Sequence, residues 1–451
     1  MTTETHAPDA ALARLTELDQ RVLLHPHRPL TMTETLMLVR GEGCRLWDAA
    51  GNEYLDAAAG LALCQIGHGN RDVAAAAATQ IGELEYWPTF WEYSNPRAVE
   101  LAVRLAELAP LEEPKVFFAS GGSEGIEAAM RMARLYHSTR GNPERSIVLA
   151  RECGYHGVGY GSGSLTGFDD FHRGFEPMLP DVAHLTPPWA CRPELFGGED
   201  PTDFCVRELE RTIERLGAGR IAAFVAEPVM GVAGMVTPPP DYWPRIGALL
   251  REHGILLIAD EVVTGFGRTG HWFASERYGL RPDLIVTAKG ITSGYVPLGA
   301  VLIAGPVAAE LDRGPDGFPI GYTYSGHPTA CAVAMANLDL IEARGLVARA
   351  TELGELILAG LAPLAELQLV VEVRGAGAML AVELSRETGA GEEVGNVVGR
   401  AIRREHAVLV RPQGAVLSIA PPLVMSDAQA RRLIEAVSDV VGRLDSEGAV
   451  A

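Results

Sequence analysis

From residue 146 to residue 304 the chain alternates short, unbroken apolar runs with amphipathic stretches. SIVLA (146–150), IAAFVAEPV (221–229), ILLIADEV (255–262), LIVTAK (284–289) and AVLIA (300–304) read as strands. The stretches near 204–216, 241–253 and 272–279 read as helices. Strands that are apolar on both faces and alternate with helices predict an α/β fold, a mostly parallel sheet covered on both sides. Upstream, Val116–Ala119 adds a short strand that runs into Ser120-Gly121-Gly122-Ser123, followed by a helix with Ile126, Met130 and Ala133 on one face. Ligands of such sheets sit beyond the carboxyl ends of the strands. Glu227, Asp260 and Lys289 all fall at or just past those ends.

The flanking segments carry a different rhythm. Leu12, Leu15, Leu18 and Val22 recur at helical spacing over 9–24, and HPHRP (25–29) ends that helix. Such a leading helix packs on another domain or another subunit. A hairpin is predicted around Ala50-Gly51-Asn52, between RLWD and EYLD. GHGNRDV turns into an alanine-rich helix, and 97–109 forms another amphipathic one. After a long helix within 321–345, LQLVVEVRGAGAMLAVEL reads as a strand pair with RGAG as its turn. VLVRPQGAVLSIAPPLV (408–424) reads as two strands around Gln413-Gly414. The last helix opens on the capping-box pair Ser426 and Gln429 and carries Leu433, Val437, Val441 and Leu444. This tail predicts a small α+β lobe.

Composition narrows the function classes. The 451 residues carry a net charge of −20, which argues against a nucleic-acid footprint. The opening MTTETHAPDAALARL lacks a basic region followed by an apolar core, so no signal peptide is read. Charged residues interrupt every apolar stretch short of a membrane span. The six cysteines are scattered without a C-x-x-C pair, as expected of reduced thiols and not of a disulfide framework or zinc site. The expectation is a cytoplasmic enzyme.

Of 38 Lys plus Arg, only Lys115 and Lys289 are lysine. Two surviving lysines are chance until the surroundings of Lys289 are read. Lysine, unlike arginine, loses its proton once desolvated and forms a Schiff base. The strand, glycine pair and helix start at 116–123 make a ready anion site. Gly265-x-Gly267-x-x-Gly270 formally matches a dinucleotide fingerprint, but it does not follow a strand directly and its notable acid precedes it. A loop that shapes a pocket is the better reading. A Schiff-base lysine, a phosphate site and a strand-end acid together fit pyridoxal phosphate, which needs an amine for its aldehyde, an anion site and a carboxylate for its ring nitrogen. Lys289 is then the natural proton shuttle, and Tyr155 a candidate ring over the cofactor.

AEPV, ADEVVTGFGRTG, TAKGITSGYVPLGAV and YTYSGHP, in this order, resemble class III pyridoxal-phosphate aminotransferases of fold type I, and within them the ω-aminotransferases (amine–pyruvate and β-alanine–pyruvate). The resemblance runs from about residue 20 to 445. It implies a seven-stranded, mostly parallel sheet in a large domain (66–330), with a small α+β domain built from an N-terminal segment (1–65) and a C-terminal one (331–451). It implies an internal aldimine on Lys289, Asp260 on the ring nitrogen, Val262 under the ring, Tyr155 over it and Glu227 beside the Asp260 end. Gly122 and Ser123 would bind the phosphate, joined by Thr323 from the second subunit of a homodimer or tetramer with shared sites. Arg411 matches the mobile arginine that takes a substrate carboxylate. Ala62 stands where relatives acting on aromatic amines carry a bulky ring, and Phe90 and Trp91 line the same pocket, its entrance or ordinary core. SGGSEGIE departs from the usual SGSEA, leaving the phosphate role intact but weakening helix propensity. His156 and His327 read as turn residues with no acid partner.

The implied reaction is a ping-pong transfer of an amino group from an amine or ω-amino acid to a keto acid such as pyruvate. Same-fold alternatives are aminomutase, racemase, phospho-lyase and decarboxylase chemistry. A cofactor-free lysine aldolase would leave the phosphate site and Asp260 without purpose, and a non-catalytic regulator would not need Lys289 and Asp260.

Overall fold

The apolar runs pair into one seven-stranded sheet, in the order β4 (Lys115–Ala119), β10 (Gly299–Ile303), β9 (Leu284–Thr287), β8 (Leu256–Asp260), β7 (Ile221–Ala226), β5 (Ile147–Arg151), β6 (Val182–Leu185). Strands β5 to β9 run parallel, whereas β10 is antiparallel to both β9 and β4. The computed structural model describes residues 7–27, 34–314, 318–385 and 393–446. The second half of HPHRP therefore lies outside the described residues.

Every residue of β5, β7, β8, β9 and β10 is buried, because helices cover both faces of the sheet. On one face Leu101 and Leu105 of the helix Pro96–Leu108 pack with Val333 and Leu338 of the helix Pro328–Ala343. On the other, Ile126, Ala129 and Ala133 of the helix Gly122–Thr139 pack against Ile258, Val286 and Val301. Among the described residues no helix is long and apolar enough to cross a membrane.

Two smaller sheets flank this body. β1 (Leu38–Glu42), β2 (Arg45–Asp48) and β3 (Glu53–Asp56) form the expected hairpin region, and β3 recruits β13 (Val408–Leu409) as a parallel edge. The other sheet runs β11 (Val370–Ala376), β12 (Met379–Leu384), β15 (Val416–Ile419), β14 (Arg411–Gln413). The helices Leu346–Leu361, Val394–His406 and Asp427–Ser446 cover one face of it around Leu380, Val382 and Leu417. Ser426 and Gln429 cap the last helix as expected.

Two local readings are corrected. Arg374, Gly375 and Ala376 of RGAG remain in β11, and the turn is Gly377-Ala378, with Gly377 at φ 56°. A buried ion pair from Arg374 to Glu383 of the facing strand holds it there. The Gly265–Gly270 loop does not line the cavity described below. It packs on the small lobe instead, with Gly267 close to Val347 and Leu423.

Candidate active site

Because β10 runs against its neighbours, its first residue meets the carboxyl ends of β4, β7, β8 and β9 at one rim. A cavity of about 380 Å³ opens there. Gly122, Ser123, Tyr155, Glu227, Asp260 and Val262 line it together with Lys289, so seven of the expected residues converge from five strand ends. Ser120 and Gly121 of the expected anion-site turn also line it, and Leu63 and Leu298 are wall residues given no role by the sequence reading.

Lys289 follows β9 after Ala288, with its backbone at φ 47° in the left-handed region. Burial lowers its pKa from the ordinary 10.5 to about 8; the charge of Arg411 acts in the same sense, while Asp260 and Glu227 oppose it. Asp260 ends β8 and is buried. Its Oδ1 accepts the backbone N–H of Val262 at 3.1 Å, and its Oδ2 lies 2.7 Å from His156 Nδ1. This corrects the expectation for His156: it does have an acid partner, 104 positions away in the chain. With Asp260 accepting, Nδ1 carries the hydrogen, and Nε2 is buried without a partner among the described residues. Local sequence could not reveal a pair whose members meet only through the β5–β7–β8 order.

Glu227 is buried at the end of β7, and desolvation pushes its carboxyl pKa up, with the nearby Asp260 adding to the effect. It accepts the Tyr155 N–H at 3.1 Å and the Gly231 N–H at 2.7 Å, which ties two cavity loops together. The Tyr155 ring is braced edge-on by Phe171 at 5.5 Å between centroids.

At the opposite end, the helix Gly122–Thr139 begins on Gly121 without a side-chain cap. Gly121, Gly122 and Ser123 line the cavity, and the first N–H groups of a helix have no partner within it, as an anion site requires. A Cβ on Gly122 would come within 2.9 Å of the Val262 side chain, so only glycine lets the helix start and Val262 share this wall.

The remaining expected residues lie elsewhere. Arg411, on β14, is partly buried; its charge registers on Lys289 and Tyr155, and among the described residues it pairs with no carboxylate. The cavity wall near the N-terminal segment is Leu63, while Ala62 (φ 61°) is buried among Val229, Met235, Ala376 and Val416. Phe90 and Trp91 line a separate cavity of about 780 Å³, with Phe318 and Ile320. Thr323 is exposed and accepts the Tyr86 hydroxyl on its carbonyl at 2.8 Å. His327 has no acid partner among the described residues.

A lysine with a depressed pKa, a buried acid held by histidine and an uncapped helix start at opposite ends of one cavity define a pyridoxal-phosphate enzyme of fold type I. Residues 28–441 match the family described as Aminotransferase class-III, and the chain belongs to it. Among its relatives is the putrescine–pyruvate aminotransferase of Pseudomonas aeruginosa, 37% identical over 407 residues that cover 88% of each chain. A thermostable (S)-enantioselective omega-transaminase from Thermomicrobium roseum superposes with a TM-score of 0.91 at 44% identity, covering 96% of this chain and 98% of that one. An amine transaminase from an uncultivated Pseudomonas species, solved in its pyridoxal-phosphate-bound form, gives 0.90 at 39% identity, covering 94% and 98%. This protein is a pyridoxal-phosphate-dependent transaminase that works on an amine and a keto acid.

Proposed function

We propose that the enzyme moves the amino group of a primary amine or ω-amino acid to pyruvate or a similar keto acid in two half-reactions at the Lys289 cavity. The observation that carries this reading is Arg411: a partly buried guanidinium on β14 whose charge is felt at Tyr155 and Lys289, with no carboxylate partner of its own among the described residues. A partly buried guanidinium with no carboxylate of its own among the described residues is suited to a planar carboxylate brought by a substrate. An acceptor with a carboxylate fills it, and a simple amine donor does not need it.

Bound pyridoxal phosphate supplies an aldehyde for the amino group and a ring that withdraws electrons from the substrate carbon. The Lys289 amine, part-neutral near pH 8, would hold that aldehyde at rest. When free, its Nζ would act as the general base toward the proton on the amine-bearing carbon, as a group of matched pKa does. Asp260, oriented by His156 and the Val262 N–H, would keep the ring nitrogen protonated. Gly122 and Ser123 would offer backbone N–H groups to the phosphate, Val262 and Tyr155 would enclose the ring, and Glu227 would fix the Tyr155 loop.

The same reading makes the enzyme a homodimer. Thr323, Phe90 and Trp91 lie away from their own chain's cavity, and Trp91, Tyr324, Trp87 and Tyr93 expose 84%, 58%, 46% and 41% of their surface. An aromatic patch of this kind is a surface meant for a partner. Thr323 would there add a phosphate contact in the partner's site, and Phe90 and Trp91 would line its entrance. The reading also divides the chain at about residues 65 and 330.

The test is the visible spectrum of the purified protein mixed with 1-phenylethylamine or β-alanine, then with pyruvate. The expected result is a yellow band bleached by a donor and restored by pyruvate. A band that no amine bleaches, or that pyruvate fails to restore, would overturn the reading.

A further inference from the structure

Two cross-strand rows of the small sheet face the large one. The pairing places Arg374 opposite Ala381, Ala381 opposite Ser418, and Ser418 opposite Arg411. The adjacent row is Glu372, Glu383, Val416, Gln413. Paired residues, and those two positions along a strand, project from the same face. Arg374 and Arg411 thus stand at the two ends of one row, on one face.

Their surroundings differ. Arg374 is buried, and its Nε and Nη2 donate to the Gly234 carbonyl at 2.9 and 2.7 Å. Its Nη1 donates to Glu383 at 2.6 Å and to Glu372 at 2.7 Å. Glu383 is held from its other side by Arg192. Cys191, Glu372 and Glu383 come together as a metal site would, but the Arg374 guanidinium bonds all three. At the other end of the neighbouring row, Gln413 Nε2 donates to the Val232 carbonyl at 3.1 Å. The segment these bonds grip, 232–234, follows Glu227 of the cavity, whose carboxylate accepts the Gly231 N–H.

Between these polar ties, the two bodies meet through Ala62, Ala376, Ala381 and Ala420, with Val229, Met235, Met379 and Val416. Apolar contact is non-directional and does not by itself fix a register. Charge-assisted, directional hydrogen bonds do. We propose that Arg374 is a positioning residue for carboxylate recognition: by docking the small sheet on segment 232–234, it sets where Arg411 stands relative to the Lys289 cavity. This rests on the carboxylate role proposed for Arg411. The small lobe has its own core around Leu353, Val382, Leu433 and Val437, so loosening the clamp leaves the lobe folded.

The experiment compares Arg374→Gln, Arg411→Ala and the double variant with the parent holoenzyme. Binding of a non-reacting carboxylate, propionate, is measured by calorimetry, and the two half-reactions are followed by absorbance. Arg374→Gln is expected to weaken propionate and raise the pyruvate KM about tenfold, while the 1-phenylethylamine half-reaction stays within about twofold. In the Arg411→Ala background the same change should add nothing for pyruvate, since both act through one contact. Equal losses for amine and pyruvate, or none, would overturn the proposal and leave Arg411 untouched if Arg411→Ala alone still discriminates. Should Arg411→Ala weaken pyruvate no more than the amine, the Arg411 reading fails and this one with it. Should Arg374→Gln fail to fold, judged by melting temperature and cofactor absorbance, Gln413→Met carries the same test through the Val232 tie, with the same outcomes deciding.

Discussion

Lys289 sits in a backbone conformation that a side-chain-bearing residue adopts at a cost of roughly 1–3 kcal/mol, repaid by the surrounding packing. The strain turns the amine into the cavity at the moment the chain leaves β9. Its acid counterpart is controlled differently, by bonds: Asp260 has one oxygen on the Val262 N–H and the other on His156. Replacing His156 with Phe leaves a buried carboxylate short of one partner, a loss of about 1–3 kcal/mol. If that orientation is felt in the transition state, kcat falls by about 10- to 100-fold, while the yellow cofactor absorbance persists because Lys289, Gly122 and Ser123 are untouched. Steady-state kinetics with an absorbance spectrum checks this. An unchanged kcat would show that the Val262 N–H alone holds Asp260. At this scale the sequence was informative about Lys289 and Asp260, since lysine rarity and strand-end position are local properties. It was silent on His156, whose partner is remote in the chain.

The elements that carry the site are strand ends and one helix start. Gly122 has the tighter constraint, since its added Cβ would meet Val262 at 2.9 Å, whereas Gly121 faces open space. Gly122→Ala should therefore displace the helix start or Val262 and weaken cofactor binding by about tenfold, consistent with overpacking of about 1–3 kcal/mol. Gly121→Ala should change it far less. Equilibrium dialysis against free cofactor distinguishes them, and equal affinities would contradict the packing argument. Elements apolar on both faces were legible from sequence, and all five such runs between 146 and 304 are strands. β6 was missed because VAHL is a four-residue edge strand with only Leu185 fully buried. RGAG was misread because a buried arginine paired across a hairpin looks, locally, like a polar turn.

Over the whole molecule, the cavity of one chain gathers seven of the expected site residues and leaves Thr323, Phe90 and Trp91 on a separate, largely aromatic surface. Such a division follows if each cavity is finished by a second copy. Sedimentation equilibrium should give twice the chain mass, and Trp91→Glu, a charge in the middle of that patch, should shift it to the monomer with most activity lost. A fully active monomer would contradict a shared site. No periodicity could have shown this, because a surface that serves another chain looks in sequence like any exposed loop.

One amine carries the chemistry of the cavity. The chain has two lysines, and Lys115, at the start of β4, is exposed and paired with Asp312. Reducing the purified holoenzyme with borohydride fixes the cofactor to the amine that holds it, and peptide mass spectrometry then reads which lysine carries the added mass. We expect it on the peptide containing Lys289 and none on Lys115. Label on Lys115, or on neither lysine of a yellow protein, would contradict the site described for this transaminase.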